Sequence, residues 1–77
     1  MKQKVLEPRK TVPMPKRMLQ KTLRECRANS LDVIKENGIY FVYADEELVL
    51  RALDGQRSYL VTYNTELFEP DTREVVA

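Results

Sequence analysis

Apolar residues recur at a helical spacing in the first part of the chain. When each residue from 15 onward is rotated by 100°, Leu19, Leu23 and Cys26 fall with Thr22 in an arc of about 100°, and Met18 lies beside them. The preceding Pro15 suits the first turn of a helix. The pattern therefore predicts an amphipathic helix that begins near residue 15.

Beyond residue 38 the spacing changes to short runs rich in branched and aromatic residues, which are typical of strands. The runs are IYFVYA (39–44), ELVLRAL (47–53) and QRSYLVTY (56–63). Asp45-Glu46 separates the first pair, and Asp54-Gly55 between the second pair is a strong signal for a two-residue hairpin turn. These runs predict a three-stranded antiparallel β-meander.

The segment between the helix and the meander, SLDVIKENG (30–38), fits two structures. As a short second helix it would be capped by Ser30 and ended by Asn37-Gly38 in a left-handed conformation. As a strand, LDVIKE would pair with IYFVYA across an Asn37-Gly38 hairpin turn. The apolar stripe of the first helix, continued in 100° steps, meets Val33 and Ile34, and this favours the helix.

Residues 1–14 contain Pro8 and Pro13 and alternate cations with single apolar residues, which predicts a flexible basic arm. The expected fold is α+β. The arm precedes one amphipathic helix, with or without the short second helix, packed on the three-stranded antiparallel meander. Residues 15–68 would form a single small domain in which Phe68 packs onto the fold. Residues 69–77 would form a frayed acidic tail.

Both faces of the predicted sheet carry apolar residues. Ile39, Phe41 and Tyr43 alternate with Tyr40 and Val42 along the first run, so each face of the strand receives some of them. One helix covers one face. The other face would be covered by residues 64–77, or it would serve as a surface for a partner or for a homodimer, and the sequence favours neither alternative.

Charge is sorted along the chain, although the total is only +1. Residues 1–27 hold nine of the thirteen cations and only two of the twelve acids, Glu7 and Glu25. The remaining residues hold four cations and ten acids. Such separation favours a molecule whose basic half meets a charged partner.

The residue types present leave little room for catalysis. The chain has no histidine and a single cysteine, Cys26, so neither a zinc site nor a cysteine–histidine nucleophile is expected. The two glycines are best explained by turns, which leaves no phosphate-binding loop. We therefore expect a protein that is not an enzyme and needs no cofactor or metal. The lone cysteine and the lack of a long apolar run predict a cytoplasmic protein with no membrane contact.

Basic residues of the predicted arm and helix are the candidate partner-binding groups. On the helix they lie opposite the apolar arc, and in the arm they accompany two apolar residues that could anchor a partner. The candidates are Lys2, Lys4, Val5, Leu6, Arg9, Lys10, Lys16, Arg17, Lys21, Arg24 and Arg27.

This surface suits an acidic partner, and three functions are compatible with it. The first is a small regulatory protein that contacts an acidic protein surface on a larger assembly, such as the transcription machinery. It is favoured because the acidic second half would repel a nucleic-acid duplex. The second is a regulator that binds nucleic acid directly through the same cations. The third is an antitoxin or self-assembly module in which the basic and acidic halves of different copies pair.

Overall fold

The computed structural model describes residues 4–68 of the 77-residue chain. Within these residues one helix packs on a five-stranded antiparallel sheet. The predicted α+β class is therefore confirmed, whereas the predicted number of three strands was too low. In chain order the elements are β1 (Arg9–Met14), α1 (Lys16–Ala28), β2 (Asp32–Glu36), β3 (Ile39–Ala44), β4 (Glu47–Asp54) and β5 (Tyr59–Asn64). The strand order across the sheet is β1-β5-β4-β3-β2.

Strand β1 lies inside the segment for which the sequence predicted a flexible arm. It pairs with β5 from Arg9 opposite Asn64 to Met14 opposite Tyr59. Proline is accepted at position 13 because β1 is an edge strand, where a missing N–H need not break the sheet ladder. Met14 is fully buried, and burial of this side chain ties the strand to the core. Residues 69–77, predicted to form a frayed tail, lie outside the described residues.

Residues 32–36 form a strand, so the preference for a second helix was wrong. The two-residue turn at Asn37-Gly38 joins β2 to β3, with φ angles of 53° and 78°. Two successive positive φ angles are the signature of a type I′ hairpin, which Asn-Gly adopts readily.

A capping motif at the end of α1 explains why the helix does not continue. Ser30 takes a left-handed φ of 66°, and its N–H donates to the Arg27 carbonyl at 3.0 Å. The Leu31 N–H donates to the Cys26 carbonyl at 3.0 Å. This pair of bonds is a Schellman motif, and the half-buried Leu31 packs against the core beneath it. The apolar stripe that favoured a helix at Val33 and Ile34 is therefore interrupted.

The connection between β4 and β5 is longer than the predicted two-residue turn. Residues 55–58 form the loop, and the Gly55 N–H donates to the Ser58 carbonyl at 3.0 Å. A Cβ on residue 55 would clash with that carbonyl oxygen, so the close approach of the two backbones requires glycine. Between β3 and β4 the register shifts at Val42, which pairs with Leu50 while Tyr43 pairs with Leu48. Val49 is the extra residue of a β-bulge.

Helix α1 covers one face of the sheet, here called the inner face. Alternate strand residues point toward it, and with the helix they build the core. Its buried members are Met14, Met18, Leu19, Leu23, Cys26, Val42, Val49, Leu50, Ala52, Val61 and Tyr63.

The other face of the sheet, the outer face, is only partly covered. Leu60 and Ile34, which point to it, are 48% and 45% exposed. Near one end of the face the Leu6 N–H donates to the Leu48 carbonyl at 3.3 Å, and the adjoining Val5 is only 2% exposed. Residues 4–8 are therefore attached to the sheet and are not a free arm.

Asn64 holds this N-terminal segment and the end of β5 together. Its side chain is 2% exposed, its Nδ2 donates to the Leu6 carbonyl at 2.9 Å, and its Oδ1 accepts from the N–H groups of Glu66 and Leu67. The backbone N–H of Phe68 donates to the Asn64 carbonyl at 3.0 Å. One buried amide side chain thus satisfies backbone groups from two distant parts of the chain.

Replacing Ser30 by glycine is expected to stabilise the fold, because a non-glycine residue in the left-handed region costs roughly 1–2 kcal/mol, part of which is offset by the greater unfolded-state entropy of glycine. The urea midpoint should rise, with a gain of about 0.5–1 kcal/mol in the free energy of unfolding. Ser58→Gly is the control, since Ser58 does not have a positive φ, and it should lower the midpoint. A lower midpoint for Ser30→Gly would contradict the assigned cap.

Replacing Asn64 by alanine should destabilise the protein by about 2–3 kcal/mol, because buried backbone groups lose their hydrogen-bond partners. Asn64→Asp keeps the two bonds to Oδ1 but loses the donor to Leu6 and buries a carboxylate oxygen against the Leu6 carbonyl, so a loss at least as large is expected at neutral pH. Amide hydrogen exchange should quicken at Leu6 in both variants, but at Glu66 and Leu67 mainly in the alanine variant. Equal protection of residues 66 and 67 in the two variants would contradict the bonding described here.

Candidate binding surface on helix α1

The side chains of α1 divide cleanly into a buried and an exposed set. The buried set, facing the sheet, is Met18, Leu19, Thr22, Leu23 and Cys26, as the helical spacing predicted. The exposed set contains every predicted cation of the helix, and we call these five residues the basic face: Lys16, Arg17, Lys21, Arg24 and Arg27.

The basic face is continuous along the helix. Arg17, Lys21 and Arg24 follow one another at intervals of four and three residues, so they form a ridge along one side. From the first cation to the last the face is about 17 Å long at 1.5 Å per residue. Among residues 4–68, no carboxylate pairs with any of its members. The ion pair that forms within these residues joins Arg9 to Glu7, at 3.1 Å.

This arrangement of charge weakens the helix. Pro15 occupies the N-cap position without a side-chain cap hydrogen bond, and the first turn contains no acid. Lys16 and Arg17 stand there instead, where the positive end of the helix dipole disfavours cations by about 0.3–1 kcal/mol each. Arg17 and Lys21 add a like-charge pair at a separation of four residues, which costs about 0.2–0.5 kcal/mol. The composition of the face is thus not explained by helix stability.

Contacts beneath the helix fix the direction of the basic face. The half-buried Gln20 donates from Nε2 to the Tyr40 hydroxyl at 3.4 Å. This hydrogen bond, with the nearby Lys35 ammonium assisting, lowers the pKa of Tyr40 from its usual value near 10. Cys26 is fully buried, and burial raises the pKa of its thiol to about 11, so the thiol stays protonated near neutral pH. Tight attachment on this side leaves the opposite side of α1 facing solvent.

The other predicted binding residues do not lie on the basic face. Lys2 lies outside the described residues, while Lys4, Arg9 and Lys10 are exposed. Alternation along β1 places Arg9 on the outer face, on the side of the sheet away from the helix, whereas Lys10 points to the inner face.

Val5 and Leu6 cannot serve as free anchors for a partner. Val5 is buried and Leu6 is half-buried and bonded to β4, so they belong to the protein's own packing. No local pattern predicts this burial, because a single valine in a segment that contains proline does not reveal which part of the sheet it will cover. Of the predicted contacts, the five helix cations remain together.

Carboxylates lie at the sheet edge beside the C-terminal end of the helix. Asp32 and Glu36 are exposed on β2, and Asp45 and Glu46 are exposed in the turn between β3 and β4. Only three residues separate the end of α1 from β2. Nowhere in residues 4–68 do three or more His, Cys, Asp or Glu side chains form a group that could hold a metal ion. Four of the described carboxylates thus lie on or beside the β2 edge, apart from the basic face.

Comparison of the chain with protein-family models, with curated proteins and with solved structures gives no match. In the part of the chain that the structure describes, no helix combines the length and apolar character needed to cross a membrane. The function is therefore inferred from the geometry and charge of the described residues.

Two exposed arginines at opposite ends of α1 should affect stability in opposite directions. Arg17→Gln removes an unfavourable charge near the helix start and should stabilise the protein, whereas Arg27→Gln removes a favourable charge from the last turn and should destabilise it, each by about 0.3–1 kcal/mol. Urea unfolding at low ionic strength measures both effects. They should shrink in 1 M salt, where the Debye length falls to about 3 Å, and changes of the same sign would contradict the electrostatic explanation.

Proposed function

We propose that this chain is a small regulatory binding protein without enzymatic activity, which places the basic face of α1 against an acidic surface of a larger protein assembly, of which a transcription complex is an example. The observation that supports this most is the set of five exposed helix cations that no carboxylate of residues 4–68 neutralises. Two of them, Lys16 and Arg17, weaken the start of the helix, so helix stability does not account for their presence.

The dimensions of the charged surface favour a compact acidic patch as the partner. The basic face is about 17 Å long, and beyond its C-terminal end lie Asp32 and Glu36 on β2. A long polyanion that continued past Arg27 would approach these carboxylates and be repelled. An acidic surface on a folded protein can end where the basic face ends.

The basic face provides charge without apolar anchors. Met18, Leu19 and Leu23 are buried against the sheet, and Val5 is buried as well. Contacts of this kind accelerate association and fix orientation more than they add affinity. We therefore expect rapid, salt-sensitive binding in which several cations contribute comparable amounts.

Direct binding of nucleic acid is the second candidate, and the same lack of apolar residues on the basic face favours it. A helix face made of arginine and lysine matches a row of phosphates, whose neutralisation releases counterions. Five phosphate contacts would make the logarithm of the affinity fall with the logarithm of salt concentration at a slope of about −4.5. Titration of the full chain with random duplex DNA at several salt concentrations measures this slope.

The proposal is tested by capture of partner proteins from a nuclease-treated lysate on the immobilised full chain, followed by titration with the purified partner. Arg17→Gln and Arg27→Gln should each weaken binding about threefold to tenfold, as expected when an interfacial charge contact of about 1 kcal/mol is lost. Because the two substitutions change stability in opposite directions, a shared loss of affinity cannot be caused by altered folding.

Arg9→Gln is the matched control, because Arg9 is exposed on the outer face, on the side of the sheet away from α1. It removes the same charge and should leave the affinity within about twofold. An equal loss in helix and control variants would show that only net charge matters and would contradict a docking face. Loss of all capture after nuclease treatment, with tight binding to duplex DNA, would replace the proposal by its alternative.

A further inference from the structure

Strand β2 leaves one edge of the sheet open. Within residues 4–68 its hydrogen-bonded neighbour is β3 alone, along the register from Asp32 opposite Tyr43 to Glu36 opposite Ile39. In an antiparallel pair, alternate residues direct their N–H and C=O groups away from the neighbouring strand. β2 therefore presents backbone donors and acceptors to solvent, whereas Pro13 interrupts the corresponding row on the opposite edge strand, β1.

A shallow groove lies at the Asp32 end of the open edge. It has a volume of about 450 Å³ and is lined by Asp32, Val33, Ile34, Tyr43, Asp45 and Glu46. Along β2, Val33 packs toward the inner face and Ile34 points to the outer face. Ile34 is 45% exposed and offers an apolar contact beside the free backbone groups.

The charge beside this edge has one sign. Asp32 and Glu36 flank Ile34 on the outer face of β2, and the groove is lined by Asp45 and Glu46 but by no lysine or arginine of the described residues. The strand's one cation, Lys35, points to the inner face, where its Nζ lies 5.2 Å from the centroid of the Tyr40 ring. The pattern that complements β2 is a basic residue, an apolar residue and a second basic residue at alternate positions.

A second copy of the chain fits this edge poorly. Antiparallel pairing of two β2 strands about Ile34 would place Asp32 opposite Glu36 at both ends of the short ladder. Like charges directly opposite one another destabilise a strand pair. The charges on this edge thus favour pairing with a segment of different sequence over pairing with a second β2 strand.

We propose that β2 is a second binding site, which adds an extended segment of a partner protein to the sheet as a sixth strand. The partner segment carries basic side chains at two alternate positions on either side of an apolar residue. Its backbone bonds to the open edge, its apolar side chain covers Ile34, and its basic side chains pair with Asp32 and Glu36. This site is separate from the basic face and of opposite charge, so it does not depend on the function proposed for α1.

The probe is a fluorescently labelled peptide, TRTVTRT, titrated into the full chain at low ionic strength and followed by fluorescence anisotropy. The acidic peptide TETVTET should bind at least about tenfold more weakly, because two attractive cross-strand pairs become repulsive. A TRTVTRT peptide N-methylated at alternate amides, on the edge that would face β2, should lose binding while keeping its charge. Amide NMR shifts caused by the unmodified peptide should concentrate in residues 32–36.

Asp32→Asn with Glu36→Gln should reduce affinity for TRTVTRT about threefold to tenfold. Asp54→Asn with Glu66→Gln is the control, since both carboxylates are exposed and lie away from β2, and it should change affinity less than twofold. Equal binding of the N-methylated peptide, or shifts centred on α1 or on Leu60, would overturn the proposal. Slow hydrogen exchange of the outward β2 amides in the free protein would also overturn it. Such protection would show that the edge is already paired with another copy or with residues 69–77.

Discussion

Within residues 4–68 a single helix of 13 residues has to cover a sheet of five strands, and the rest of the described structure depends on this constraint. Burial of Leu19, Leu23 and Cys26 against the inner face is the main source of stability available to so small a chain. It fixes the rotation of α1 and turns its cations to solvent. The outer face and the sheet edges must then be protected by other means. Residues 4–8 are attached to the sheet by the hydrogen bond from Leu6 to Leu48. Pro13 interrupts the backbone donors of β1, whereas within the described residues β2 keeps an open edge.

Charged side chains of the described residues form two local groups. Five of the eleven described cations lie on the side of α1 away from the sheet, and four of the nine described carboxylates lie on β2 and in the turn that follows β3. These two surfaces have opposite charge even though the net charge of the whole chain is +1. Fields of this kind act over roughly one Debye length, about 8 Å at physiological ionic strength. The separation between the two surfaces reduces their mutual neutralisation.

Sequence reasoning located the parts of the fold that depend on local patterns. The helical spacing of Leu19, Leu23 and Cys26 predicted both the helix and its outward cations, and the branched runs predicted β3, β4 and β5. It missed β1, which acquires its geometry from pairing with the distant β5. For residues 32–36 it considered both a helix and a strand paired with β3, and it preferred the helix. Before β2, the decisive feature is a serine at residue 30 in a conformation that usually favours glycine. The burial of Val5 likewise follows from tertiary contacts, which a local pattern does not reveal, whereas the exposure of the helix cations follows from the helical spacing.

The central claim is that α1 presents an unneutralised positive surface and the β2 edge a negative one. The most direct measurement compares the NMR relaxation of backbone amides in an anionic and in a cationic paramagnetic cosolute, matched in size, at low ionic strength. The anionic probe should broaden the amides of α1 more strongly, and the cationic probe those of residues 32–36 and 45–46, with both contrasts fading as salt is added. Equal broadening of the α1 amides by both probes would show that the protein's own carboxylates neutralise the helix, and would contradict this account.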